Sequence, residues 1–191
     1  MNIVERARIF ATAAHAAVGQ KRKYTGEDYI VHPAEVVNIL LTVPGITYAQ
    51  LAAAYLHDVV EDTGVTIEQV AAEFGSEVAE LVGWLTDVSK PTDGNRKVRK
   101  AIDRKHTANA PAAAKTVKLA DLISNTRSIV KHDLNFAETY LEEKMELLSV
   151  LQHGGDSELW KQAHQLCKEG KRIVQENRVQ QALEKMEKSN A

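Results

Sequence analysis

Leu51-Ala-Ala-Ala-Tyr-Leu-His-Asp-Val-Val-Glu-Asp-Thr63 decides how this chain is read. Its alanines, leucines and valines imply a buried helix, yet His57, Asp58, Glu61 and Asp62 crowd its last two turns. At helical spacing His57 lies above Glu61, Asp58 above Asp62, and Asp58 also faces Glu61, so like charges meet where i,i+3 and i,i+4 neighbours repel. Thr63-Gly64 reads as the helix stop, which puts the carboxylates near the negative end of the helix dipole, unfavourable by up to about 1 kcal/mol each. Buried, unpaired carboxylates cost far more than that or take up protons. A bound divalent cation removes the conflict.

Outward from this segment the same helical punctuation recurs, and alternating β-branched runs bounded by hairpin turns are scarce. The chain is read as all-α. A first helix is expected over about residues 2 to 18, closed by Gly19, followed by a polar, basic loop that runs to His32. Pro33 suits the first turn of the second helix and Pro44-Gly45 ends it. Thr47-x-x-Gln50 and Thr66-x-x-Gln69 are capping boxes that open the third and fourth helices. Ser76 begins another helix through Leu85; Pro91 and Asp93-Gly94 then mark a basic loop. Pro111 introduces an alanine-rich helix, and Asn135-x-x-Glu138 is read as the cap of the next. Gly154-Gly155 is the clearest boundary, beyond which Leu159, Trp160, Ala163, Leu166, Ile173 and Val174 form one stripe. The expected division is a domain over residues 1–153 and a helical extension over 154–191, packed on that domain or on a partner subunit in a homo-oligomer.

Bulk properties set limits. The 191 residues suit one domain with an appended helix, and 44% apolar with 26% charged residues is ordinary for a soluble globular chain. A formal net charge of -2 gives no nucleic-acid footprint. Basic residues still cluster, at Lys21, Arg22 and Lys23 and again from Lys90 to Lys105, which reads either as solvated surface or as a cradle for a small polyanion. A single cysteine, Cys167, allows no internal disulfide. No apolar run suggests a signal peptide or a membrane span, so the expectation is a cytoplasmic protein.

The acidic cluster has companions elsewhere. His32 stands at a helix start before Pro33, and Asp121 lies in an apolar helical setting with Val117, Leu119, Ala120, Leu122 and Ile123. Two imidazoles and two carboxylates form a mixed nitrogen and oxygen donor set that suits Mn, Fe or Zn. The order His32-Pro33, then His57-Asp58 with Glu61-Asp62-Thr63, then Lys118-Leu-Ala-Asp121 with Asn125 and Arg127 resembles the HD superfamily. More narrowly, it resembles the alarmone hydrolases of the stringent response, the hydrolase half of the Rel and SpoT enzymes and their small stand-alone relatives, over roughly residues 5 to 150.

That resemblance implies an HD-domain helical bundle in which His32, His57, Asp58 and Asp121 bind one Mn²⁺ and Glu61 and Asp62 position or deprotonate the attacking water. The implied reaction removes the 3′-pyrophosphate of ppGpp or pppGpp, leaving GDP or GTP. Arg22 and Lys23 would contact base and phosphates, Asn125 the nucleotide sugar or base, and Tyr140 would match a tyrosine on the following helix. Leu122 and Ser124 depart from the residues that many relatives carry after Lys-Leu-Ala-Asp, which brings adenosine alarmones such as ppApp or pppApp into the expected substrate range. Two alternatives stay open: an HD-domain phosphohydrolase acting on another nucleotide, and a non-catalytic alarmone-binding module.

Overall fold

A computed structural model describes residues 1–189 and carries no strand among them, so the all-α reading holds. Its helices are α1 (Ile3–Ala17), α2 (Val31–Leu40), α3 (Tyr48–Leu56), α4 (Val59–Asp62) and α5 (Ile67–Phe74). They continue as α6 (Ser76–Leu85), α7 (Arg96–Ala108), α8 (Ala112–His132), α9 (Leu134–Leu151) and α10 (Ser157–Ser189). A 3-10 turn, Pro91–Asp93, precedes α7.

Two helices organise the rest. Every residue of α3 from Ala49 to Leu56 is buried, as a helix apolar on all sides requires, and α1, α2 and α6 pack around it. The long α8 is buried along its middle and is flanked by α2, α9 and α10. Both expected capping boxes form: Thr47 accepts from the Gln50 amide at 3.1 Å while Gln50 accepts from the Thr47 amide at 3.1 Å, and Thr66 and Gln69 repeat the exchange. Each cap stabilises its helix by about 1 kcal/mol.

Four local expectations need correction. The helix through His57 is not continuous, because regular α-structure lapses at His57–Asp58 and resumes as the single turn α4. The second helix stops at Leu40, before Pro44 is reached. Asp133, not Asn135, caps α9, its carboxylate accepting from the Phe136 amide at 3.1 Å. Most of the basic segment expected as a loop is the helix α7, whose buried positions are Asp103 and Thr107. A polar buried face hides a helix from any search for apolar periodicity.

α10 lies along α8 and α9, burying Leu159, Ala163, Cys167, Gly170 and Val174. Gly170 allows this approach: a Cβ there would meet Val130 Cγ2 at 2.9 Å and Leu141 Cδ1 at 3.1 Å. No helix among the described residues is long and apolar enough to cross a membrane.

Candidate active site

α2, the α3–α4 break and α8 deliver the four expected ligands to one point. His32 (1% exposed) enters from the first turn of α2, His57 (1%) and Asp58 from the break, and Asp121 (8%) from the middle of α8. One donor atom each from His32, His57 and Asp58 lies within 4.8 Å of the others. Asp121 Oδ1 stands 3.1 Å from His32 Nε2 and 3.6 Å from His57 Nε2, and Asp58 Oδ2 stands 3.8 Å and 3.1 Å from the same two nitrogens.

The outer nitrogens decide what the inner ones offer. His57 Nδ1 lies 2.7 Å from the Ala54 carbonyl, which can only accept, so Nδ1 carries the proton and Nε2 turns a lone pair inward. Buried Nε2 has no hydrogen-bond partner: Asp58 is near enough but badly aligned. His32 Nδ1 lies 3.0 Å from Ser124 Oγ, and that hydroxyl donates to Glu35 Oε2 at 2.8 Å. With its proton given to Glu35, Ser124 accepts from His32 Nδ1–H and leaves His32 Nε2, 3.1 Å from Asp121 Oδ1, as the atom that can turn to a cation. Two imidazole nitrogens and two carboxylate oxygens converge, with His32 Nε2 in hydrogen-bond contact with Asp121 Oδ1 at 3.1 Å and His57 Nε2 unpartnered, a donor set that fits a divalent cation. These residues therefore suit a divalent metal.

The electrostatics agree. Burial alone would lower the His57 pKa, but the Asp58 and Asp121 carboxylates outweigh it and hold it well above its usual value. Burial pushes Asp58 and Asp121 upward, and the two imidazoles, with Lys118 beside Asp121, overcome it and keep both below the usual carboxylate range. The pull of the two carboxylates on a proton at His57 is the pull that a cation in the same place would satisfy. Tyr29 donates to Asp58 Oδ2 at 2.5 Å, and Asn125 donates to Asp121 Oδ1 at 2.6 Å, so both carboxylates are aimed by neighbours.

Glu61 and Asp62 diverge. Glu61 shares a cavity of about 130 Å³ with Asp58, Lys118 and Lys144, and its Oε1 accepts from the Asp87 amide at 2.7 Å. Lost hydration pushes its pKa up to about 7; Lys118 pulls against that, while Asp87 and Asp58 add to it. Asp62 turns away to accept from Gln20 Nε2 at 2.7 Å, and Gln20 in turn meets His15 Nδ1 at 2.6 Å. The like-charge stacking expected on one helix is dispersed by the break at His57–Asp58.

A second cavity of about 600 Å³ lies between α2 and α8, lined by Arg22, Glu35, Asn38, Ser124, Arg127 and Ser128 among others. Lys23 is elsewhere, paired with Asp133 at 3.3 Å and set over the Tyr24 ring. Tyr140 is buried, its hydroxyl 3.4 Å from Thr126 Oγ1, and it lines neither cavity. Sequence reasoning passed over Tyr29, Glu35 and Lys144. Glu35 sits three residues after His32 on α2, the spacing that puts side chains on one helical face, whereas Tyr29 lies in the turn that leads into α2.

The HD domain family matches residues 7–153. A guanosine-3′,5′-bis(diphosphate) 3′-pyrophosphohydrolase of Xenopus tropicalis is 37% identical over 129 residues, spanning 66% of this chain and 69% of the relative. Its Mus musculus counterpart is 40% identical over 119 residues, 61% of this chain and 65% of that one. A probable enzyme of the same name from Synechocystis is 39% identical over 130 residues but is a far longer protein, of which 17% is covered. Among solved structures, one described as a metazoan ortholog of SpoT that hydrolyzes ppGpp superposes with a TM-score of 0.78 at 26% identity, covering 88% of this chain and 96% of that one. The chain belongs to the HD-domain family.

Proposed function

We propose that this chain is a metal-dependent hydrolase that removes the 3′-pyrophosphate of guanosine alarmones, converting ppGpp and pppGpp to GDP and GTP. The observation that carries the reading is the bare, buried Nε2 of His57 facing His32, Asp58 and Asp121, with Glu61 on an adjoining cavity wall. The names of the similar proteins supply the substrate class. Mn²⁺ is the proposed ion, on the mixed nitrogen and oxygen donors, and a cytoplasmic location belongs to the same reading. Residues 1–153 form the proposed catalytic unit, with 154–191 as its extension.

His32, His57, Asp58 and Asp121 would hold the cation, which would supply Lewis acidity by lowering the pKa of water and neutralising phosphoryl charge. The water oxygen bonds to the phosphorus attached to the nucleotide 3′-oxygen, and the bond between that phosphorus and the 3′-oxygen breaks. Glu61, with a pKa near neutrality, is suited to accept the water's proton. The 3′-oxygen leaves as a hydroxyl by taking up the proton that Glu61 accepted from water, and pyrophosphate departs carrying the oxygen from water. Arg22 and Arg127 line the larger cavity, where they suit a purine face or the 5′-phosphates. Asp62, Lys23 and Tyr140 take no direct part in this scheme, and Asn125 acts by holding Asp121.

The test is a chromatographic product assay on ppGpp, pppGpp, ppApp and pppApp with Mn²⁺ or with chelator. GDP or GTP with pyrophosphate in the Mn²⁺ samples alone supports the reading. Release of inorganic phosphate, or no turnover by metal-loaded protein, overturns it. Turnover of the adenosine compounds would place both bases within the substrate class.

A further inference from the structure

Lys144, on α9, faces the small cavity beside the metal cluster, and its setting is unlike that of its cationic neighbours. Lys100 reaches Asp87 at 2.6 Å, Arg96 reaches Glu143 at 2.6 Å, Arg104 pairs with Glu146, and Lys118 reaches Asp121 at 3.7 Å and the Leu85 carbonyl at 3.2 Å. Lys144 has no ion pair among the described residues; its Nζ stands 5.1 Å over the Tyr140 ring, which offers only a quadrupole. Burial first, then Lys118 and Lys100, push its pKa down to about 8 against the pull of Asp121 and Asp87, so at neutral pH it is still mostly an ammonium. A half-buried ammonium beside two others, with no carboxylate in direct contact, gains from an incoming anion.

The size and position of the cavity narrow the choice of anion. Its volume of about 130 Å³ is well below the roughly 300 Å³ of a pocket for a drug-sized ligand, so it takes one end of a nucleotide and not the whole. The 600 Å³ cavity between α2 and α8 is large enough for the nucleoside, and a further cavity of about 420 Å³ also adjoins Glu61, lined by Asp87, Arg96, Arg99 and Lys100. Asp58 and Glu61 also border the small cavity, which puts Lys144 next to the reacting centre. We propose that Lys144 binds the terminal phosphate of the 3′-pyrophosphoryl group, with Lys118 beside it, and so holds the group that becomes free pyrophosphate. The inference rests on the 3′-pyrophosphohydrolase reading and adds the residue that distinguishes a 3′-pyrophosphate from a 3′-monophosphate.

The experiment is calorimetric titration of inorganic pyrophosphate into the full chain, with Mn²⁺ in excess so that the probe does not strip the protein. Wild type, K144M and K144R are compared, with GDP as the control ligand. K144M is expected to bind pyrophosphate about ten- to a hundredfold more weakly, the effect of losing one hydrogen bond to a charged group. K144R recovers most of the loss, and GDP binds all three alike. K144M binding pyrophosphate as tightly as wild type overturns the proposal, as does K144R as weak as K144M, or a parallel loss of GDP binding. Turnover of ppGpp with Lys144 dispensable removes this inference and leaves the enzymatic reading. Pyrophosphate binding through Lys144 without any turnover does the reverse.

Discussion

Replacing Ser124 with alanine separates the metal site from the residue that sets the tautomer of His32. Ser124 is 3% exposed and stands between His32 Nδ1 at 3.0 Å and Glu35 Oε2 at 2.8 Å. Truncation leaves the Nδ1–H of a ring only 1% exposed without an acceptor, a loss of about 1–3 kcal/mol. The imidazole can recover part of that by moving its proton to Nε2 and donating to Asp121, which spends the lone pair that a cation needs. S124A should therefore weaken Mn²⁺ binding by about ten- to a hundredfold, the usual effect of removing a ligand's outer hydrogen-bond partner. Glu35→Gln keeps an acceptor oxygen in place and should stay close to wild type. Mn²⁺ titration followed by electron paramagnetic resonance measures the affinity without reference to turnover. Wild-type affinity in S124A would refute the relay and with it the assignment of His32 Nε2 as a donor.

Glu61→Gln should lower kcat by about 10²- to 10⁴-fold while Mn²⁺ binding is unchanged. In wild type the carboxylate accepts a proton only when ionised, so activity should fall as pH drops through about 7. A nearby cation favours the ionised form, which places the limb in metal-loaded enzyme at or below that value, and a pH profile of E61Q that keeps the limb would exclude Glu61 as its source. Asp103→Ala should destabilise the fold by about 3 kcal/mol in urea, because it orphans the Val88 and Ser89 amides and the Ser89 hydroxyl, bound at 3.1, 2.9 and 2.9 Å. Gly170→Ala should lower stability by about 1–3 kcal/mol through overpacking against Val130 and Leu141, and an unchanged thermal midpoint would contradict the close approach of α10.

The legible parts of this molecule were those where a residue's local neighbours determine its place. Thr47-x-x-Gln50 and Thr66-x-x-Gln69 are closed local circuits, and both form. The grouping of His32, His57, Asp58 and Asp121 was legible because each pairs a distinctive residue type with an apolar setting: imidazole and carboxylate among alanine, leucine and valine imply a buried polar centre. α7 was illegible because Asp103 faces inward to bind the 87–90 turn, a contact across 14 residues that no periodicity reveals. Ser124 looked like a departure from family pattern; its partners lie 92 and 89 residues away on α2. The break at His57–Asp58 was hidden too. It needs Asp87 and Gln20, two distant donors, to draw Glu61 and Asp62 to different sides.

The run of basic residues from Lys90 to Lys105 suggests a strongly cationic surface, and the fold pairs three of its members. Arg96, Lys100 and Arg104 each meet a carboxylate from α9 or from the 87–103 segment, so the basic side chains of α7 nearest the small cavity are already neutralised. Lys144 and Lys118 act instead at short range, in a cavity where salt screens poorly. Substrate capture should then depend only weakly on ionic strength between about 0.1 M and 1 M salt, over which the Debye length falls from about 10 Å to about 3 Å. The measurement is KM for ppGpp across that range at constant free Mn²⁺. A steep rise, of the kind produced by many exposed cations acting together, would mean that the pairs seen on α7 open to receive the nucleotide and that the small cavity is not where its 3′-pyrophosphate is held.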